Sequence, residues 1–307
     1  MKAVGFYIYL ILFRPFLWLP LRMWYMLADV LYVVMFYVAG YRKRVVAKNL
    51  KRSFPEKDPE WLHAVTKKYY RHLADYFIES LKLDAFSKQA LKKRCTFQNL
   101  ELISDANKKG KDVIIFLGHY ANWEWITSMP LWNQNLHCFT VYKPLKNKYF
   151  DRYFLKIRQR FGVTPIPMKR SAREIIKFHN EGKRSVSGLI ADQNPGSFDV
   201  RYWVKFLNQD TAVFEGGEKI ARKIKATVVY MKMKKVRRGY YETEIMPMFD
   251  DASQTAPHQI TRKYFELLEN DIKERPELWL WSHKRWKRKK PEEVIAETLE
   301  QVKSPEK

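Results

Sequence analysis

A chain of 307 residues can bury a substantial core, as one large domain or one domain with an appendage. Its 57 Lys and Arg against 33 Asp and Glu give a formal net charge of +24, so an anionic partner is expected: a lipid headgroup, an acidic protein or nucleic acid. The two cysteines, Cys95 and Cys138, have no metal-ligand neighbours and are too few for a disulfide framework, which excludes a cystine-stapled fold and leaves no metal expected.

Residues 3–39 are apolar but interrupted, falling into runs 3–13, 15–21 and 23–39 separated by Arg14 and Arg22, with Asp29 inside the last. None reaches the roughly 18 residues of a plain spanning helix. A tilted span with snorkelling arginines and a hairpin lying in the interface both fit, whereas a cleaved signal peptide does not, because Arg14 breaks the apolar region and no small-x-small site ends it. Tyr41-Arg-Lys-Arg44 follows at once, which by the positive-inside rule puts the bulk of the chain in the cytoplasm. Aromatic content of 15%, with ten Trp and eighteen Tyr, favours a membrane over nucleic acid.

Asp58-Pro-Glu starts a helix to Leu83, with Leu62, Val65, Tyr69, Leu73 and Phe77 at helical spacing. From Lys111 the pattern alternates: strand 112–117, helix 121–132, strand 137–142, helices 147–161 and 171–181, strand 185–191, helix 215–224, and strands 226–235 and 240–247. An amphipathic helix spans 257–275. The fold class is therefore α/β: a mainly parallel sheet flanked by helices, preceded by an N-terminal membrane-anchoring helical segment. The expected organisation is an anchor at 1–40, a helical preface at 41–110, the α/β domain at 111–290 and a polar tail at 291–307. Trp279 to Lys290 interleaves indoles with cations and reads as an interface patch, with His283 bonded locally.

His119 follows the run Val113 to Leu117 and Gly118, so it sits on a strand-to-helix turn at the carboxyl edge of the sheet, where ligands bind in open α/β folds. Glu124 stands five residues on, a spacing that suits either a base with a nearby carboxylate or a capped turn. Asp192-Gln193 also ends an apolar strand, and Asn194-Pro-Gly is a turn. Glu215-Gly-Gly217 before a helix offers backbone N–H groups to an anion, though its own glutamate opposes that.

Gly118-His-Tyr-Ala-Asn-Trp-Glu124, Tyr142-Lys-Pro-Leu-Lys-Asn147, Ala191-Asp-Gln-Asn-Pro-Gly196 and Trp281-Ser-His-Lys-Arg-Trp-Lys287 occur in the order and spacing of the bacterial lipid A biosynthesis acyltransferases, of the lysophospholipid acyltransferase superfamily. The chain resembles that family over nearly its whole length. The resemblance implies an O-acyltransferase of the His-x4-Glu type, with His119 the general base and Glu124 its orienting carboxylate. It implies transfer from an acyl-carrier protein or coenzyme A thioester to a hydroxyl of a lipid A precursor, with no resident cofactor. The expected location is the cytoplasmic side of the bacterial inner membrane, with acyl-carrier protein and an anionic membrane lipid or lipid A precursor as partners. Arg158 resembles the arginine placed near the catalytic His, while Asn122, Lys143, Asp192 and Gln193 are expected at the substrate, Asp192 and Gln193 alternatively as braces near His119. Lys143 stands where many relatives carry Arg, which replaces a planar fork with a point charge. Another lipid or glycolipid acceptor fits the same chemistry. A nucleic-acid-binding protein is disfavoured by the apolar start and the lack of an RNA- or DNA-binding motif. A serine esterase is disfavoured by the lack of a Gly-x-Ser-x-Gly elbow.

Overall fold

The computed structural model describes residues 6–7, 11, 14–196 and 200–291. The tail expected at 291–307 lies outside the described residues after Pro291, as does most of the apolar run 3–13. A 3₁₀ turn at Arg14–Trp18 leads into α1 (Leu21–Val33), which Val34–Val38 prolongs as a turn of π-helix. After α2 (Lys43–Ser53), α3 (Pro59–Lys82) starts where Asp58 accepts the Trp61 N–H at 2.7 Å and Pro59 occupies a position that needs no donor. α1 packs along α3, burying Leu21, Trp24, Ala28 and Tyr32. Tyr25 Oη donates to Glu79 of α3 at 2.7 Å, and Arg238 ties Asp29 of α1 to Asp75 of α3. The outward face is apolar as well: Met23, Met26, Leu27, Val30, Val33, Val34, Tyr37 and Val38 are exposed.

The rest of the chain supplies α4 (Lys88–Lys92), β1 (Cys95–Gln98), α5 (Glu101–Lys108), β2 (Val113–Leu117), β3 (Cys138–Tyr142), α6 (Lys148–Gln159), β4 (Val163–Pro167), α7 (Ser171–Asn180), β5 (Val186–Ile190), the hairpin β6 (Trp203–Phe206) and β7 (Gln209–Ala212), α8 (Gly216–Lys223), β8 (Thr227–Arg237), β9 (Tyr240–Phe249) and α9 (Gln259–Glu274). Seven strands form one sheet in the order β1-β9-β8-β2-β5-β3-β4, and every neighbouring pair is parallel except β8 with β9. That pair is joined by a turn too short for the crossover a parallel return requires. Gly239 in this turn has φ +73°, and a Cβ there would run into Tyr25 Oη, so only glycine lets the hairpin meet α1.

β2 is buried on both faces, which is why its sequence is a continuous apolar run. Ile114 and Phe116 face the larger core shared with α8 and α9, while Val113, Ile115 and Leu117 face a second core with Ile103 and Ala106 of α5. β4 escapes sequence recognition because of Pro165 and Pro167, which an edge strand tolerates. The helix expected at 121–132 is instead a 3₁₀ turn at Trp125–Leu131. Ala121 is held at φ +51° with its N–H on Leu278 O at 3.0 Å, so the chain is still turning there. Pro130 then removes a donor from the turn that follows.

Candidate active site

In the β2/β5 register Leu117 pairs with Ile190, and His119 and Asp192 each lie two residues beyond. Equal offsets from paired positions on parallel strands put both side chains on one side of the sheet's carboxyl edge. His119 Nδ1 lies 2.6 Å from Asp192 Oδ1, and the His119 backbone N–H donates to Oδ2 at 2.9 Å. Trp279 Nε1 adds a third donor to Asp192 at 2.7 Å. Burial alone would push the Asp192 carboxyl up, but His119 and Trp279 outweigh it and hold its pKa below the ordinary value. An ionised Asp192 accepts only, so the ring proton of neutral His119 sits on Nδ1 and Nε2 keeps its lone pair. That lone pair faces the Gln193 amide nitrogen at 3.1 Å.

His119 and Gln193 line a pocket of about 370 Å³ together with Tyr41, Arg42, Leu73, Tyr76, Phe77, Trp123, Leu280, Ser282 and His283. Trp123 packs edge-on to His119 and stacks on Tyr76 at 4.1 Å between ring centroids. No carboxylate lines the pocket among the described residues, and Arg42, whose NH1 donates to Ser282 O at 2.9 Å, is its fixed charge. An apolar wall facing a base and a cation suits an amphiphile with an anionic part. A second cavity, of about 340 Å³ between β4 and α7, has its cations Arg170 and Lys177 ion-paired to Glu174 and Glu181.

The sequence reading expects Glu124 to orient the imidazole; in the structure the carboxylate on His119 is Asp192. Both Glu124 oxygens are taken by Arg158, at 3.0 and 2.6 Å, a bidentate pair that ties the turn after His119 to α6. Arg158 is thus engaged by Glu124. Asn122, expected at the substrate, is fully buried, donates to Glu79 at 2.6 Å and braces the turn from inside. Asp192 braces His119, Gln193 reaches the pocket, and Lys143 is exposed beyond β3. Gly217 packs closely on the sheet, where a Cβ would approach Phe116 to 2.8 Å.

The indole-rich segment is no exposed patch either. Trp279 and Trp281 are buried, and Tyr120 forms an antiparallel bridge to Trp279 while the Leu280 N–H donates to His119 O at 3.1 Å. Interleaved cations hide this role in the sequence, because Arg285 is itself buried with NH2 on Ala212 O at 2.7 Å. Sequence reasoning also missed Glu79, which gathers Tyr25, Asn122 and Tyr241. Cys95 and Cys138 offer no nucleophile, as burial pushes both thiols up to about 12.

Two strand ends and a returning C-terminal segment therefore converge on one histidine beside a half-apolar pocket. The model of the bacterial lipid A biosynthesis acyltransferase family matches residues 1–288. The chain belongs to that family. A lipid A biosynthesis acyltransferase of Haemophilus influenzae is 26% identical over 235 residues, covering 76% of this chain and 72% of its own. A lipid A biosynthesis myristoyltransferase of Escherichia coli is 22% identical over 250 residues, covering 80% of this chain and 75% of its own. The protein is accordingly an acyltransferase of lipid A biosynthesis, and residues of the first, third and fourth of the motifs that signalled the family meet around His119.

Proposed function

We propose that this acyltransferase moves a fatty acyl chain from an acyl thioester to a hydroxyl of a lipid A precursor, with His119 as general base and Asp192, in place of Glu124, as its orienting carboxylate. The single observation that carries this is the His119 ring, with Nδ1 on Asp192 at 2.6 Å, in the lining of a pocket that also holds Leu73, Phe77 and Leu280. Nε2 takes the proton of the acceptor hydroxyl as its oxygen attacks the thioester carbonyl carbon. The carbonyl electron pair moves onto oxygen and returns as the C–S bond breaks, and the thiolate takes the proton back from the imidazolium. Asp192 stabilises that imidazolium and keeps the tautomer correct. Gln193 must release Nε2 for the hydroxyl to reach it.

The donor in this reading is acyl-carrier protein, an acidic partner, with coenzyme A as the alternative. Arg44, Lys48, Lys51 and Arg52 on the exposed side of α2 form no ion pair among the described residues and begin beside the pocket residue Arg42. Such a face attracts an acidic carrier protein. The anchor in this reading is α1, lying in the cytoplasmic face of the inner membrane. Its inner side is committed to α3, so its apolar outer stripe suits immersion in the interface better than a span surrounded by lipid.

Mass spectrometry of lipid A from cells with and without the gene tests the reaction. Loss of one acyl chain in the deletion strain, and its restoration by wild type but not by His119→Ala, is expected. Unchanged lipid A, together with no transfer by purified protein, overturns the reading.

A further inference from the structure

The pocket holds a second histidine. His283 Nε2 accepts the backbone N–H of Asn194 at 3.1 Å. An N–H can be accepted only by an unprotonated ring nitrogen, so the proton of neutral His283 resides on Nδ1. Among the described residues no hydrogen bond takes that proton. Burial first, then the charges of Arg285, His119 and Arg42, push the His283 pKa down to about 4 against the opposing pull of Asp192. The ring is therefore neutral above about pH 4.

Its placement is tied to the base itself. Gln193 contacts His119 and its neighbour Asn194 contacts His283, so adjacent residues touch both rings. From the other side Leu280 donates its N–H to His119 O and accepts the His283 N–H on its own carbonyl. The same two segments therefore hold both His119 and His283.

We propose that His283 is a second catalytic residue, a neutral hydrogen-bond donor whose Nδ1–H meets the carbonyl oxygen of the acyl thioester as negative charge develops there. The proposal rests on the acyl-transfer reading of the pocket. It fills a role that Arg158, engaged by Glu124, leaves open. The proton stays on His283: the oxygen gains the electron pair of the carbonyl bond, accepts the hydrogen bond, and returns the pair when the thiolate leaves. A neutral imidazole is a competent electrophile of this kind, and one such donor typically contributes about 10²- to 10³-fold in kcat.

Two variants separate this role from a structural one. His283→Asn keeps an N–H near the Nδ1 position and loses the reach to Asn194, while His283→Gln keeps an acceptor for Asn194 and loses the donor. With myristoyl thioesters of coenzyme A and of acyl-carrier protein, and underacylated lipid A in detergent micelles, His283→Gln should lose about 10²-fold in kcat with little change in KM. His283→Asn should recover at least tenfold of that loss. The reverse order, or wild-type kcat in both, overturns the proposal. In wild-type protein labelled with ¹⁵N-histidine, the His283 resonances, identified by their absence from His283→Asn, should report the Nδ1–H tautomer. An Nε2–H tautomer overturns the proposal even if the variants misfold. Inactive His119→Ala beside fully active His283→Gln would sink this proposal alone, whereas active His119→Ala would sink the reading on which it rests.

Discussion

His119 and Asp192 meet at 2.6 Å because Leu117 and Ile190 pair in register, so a contact across 73 residues of sequence is made by one hydrogen-bonded rung of the sheet. Replacing Asp192 by Asn keeps the shape and removes the charge that selects the Nδ1–H tautomer. Asp192→Asn should lower single-turnover transfer by roughly 10³- to 10⁴-fold while circular dichroism stays native. The depressed Asp192 carboxyl contributes stability that is complete above its ordinary value of 3.8 and is lost as pH falls through its lower folded value. Urea titrations should therefore show a stability gap between wild type and Asp192→Asn that is constant down to about pH 3.8 and narrows below it. A gap that widens in acid would contradict the assignment.

Glu124 and Arg158 are mostly shielded from solvent and bonded through two contacts, so deleting one partner strands the other. Arg158→Met and Glu124→Gln should each destabilise the fold by about 1–3 kcal/mol, and the double variant should cost less than their sum. The measurement is a double-mutant cycle by urea unfolding. A coupling energy near zero would mean that the pair does not brace the turn to α6.

Gly118 precedes His119 because α9 leaves no room for a side chain: a Cβ there would lie 2.5 Å from Leu268 Cδ1. Gly118→Ala should cost about 1–3 kcal/mol by overpacking and should reduce transfer by displacing His119. Leu268→Ala in the same chain should restore part of both losses. Additive effects in thermal unfolding would refute the steric account.

If the outer stripe of α1 enters the membrane, charges on it abolish binding and charges elsewhere do not. Val30→Asp with Val34→Asp should release the protein from vesicles of phosphatidylethanolamine and phosphatidylglycerol in a flotation assay, with its thermal unfolding unchanged, because both positions are exposed. Continued flotation of this variant would remove α1 as the anchor.

The elements that carry their own physical signature were legible from residues alone. The apolar run of β2, the Asp58-Pro59 start of α3 and the amphipathic spacing of α9 are local patterns, and each element formed within a few residues of its expected bounds. The family was legible too, because four motifs keep their order and spacing. Residues alone did not decide which carboxylate meets the histidine in the fold: Glu124 is near His119 in sequence, but the turn after Gly118 carries it to Arg158 while sheet register delivers Asp192. The same holds for Trp279 and Arg285, which read as surface and are buried, and for Asn122, which reads as substrate-facing and is held by Glu79. Local patterns are set by propensity and periodicity over a few residues, whereas a buried polar group takes whatever partner the packed chain brings within hydrogen-bonding distance, and that choice is made by register and crossover rather than by spacing along the chain.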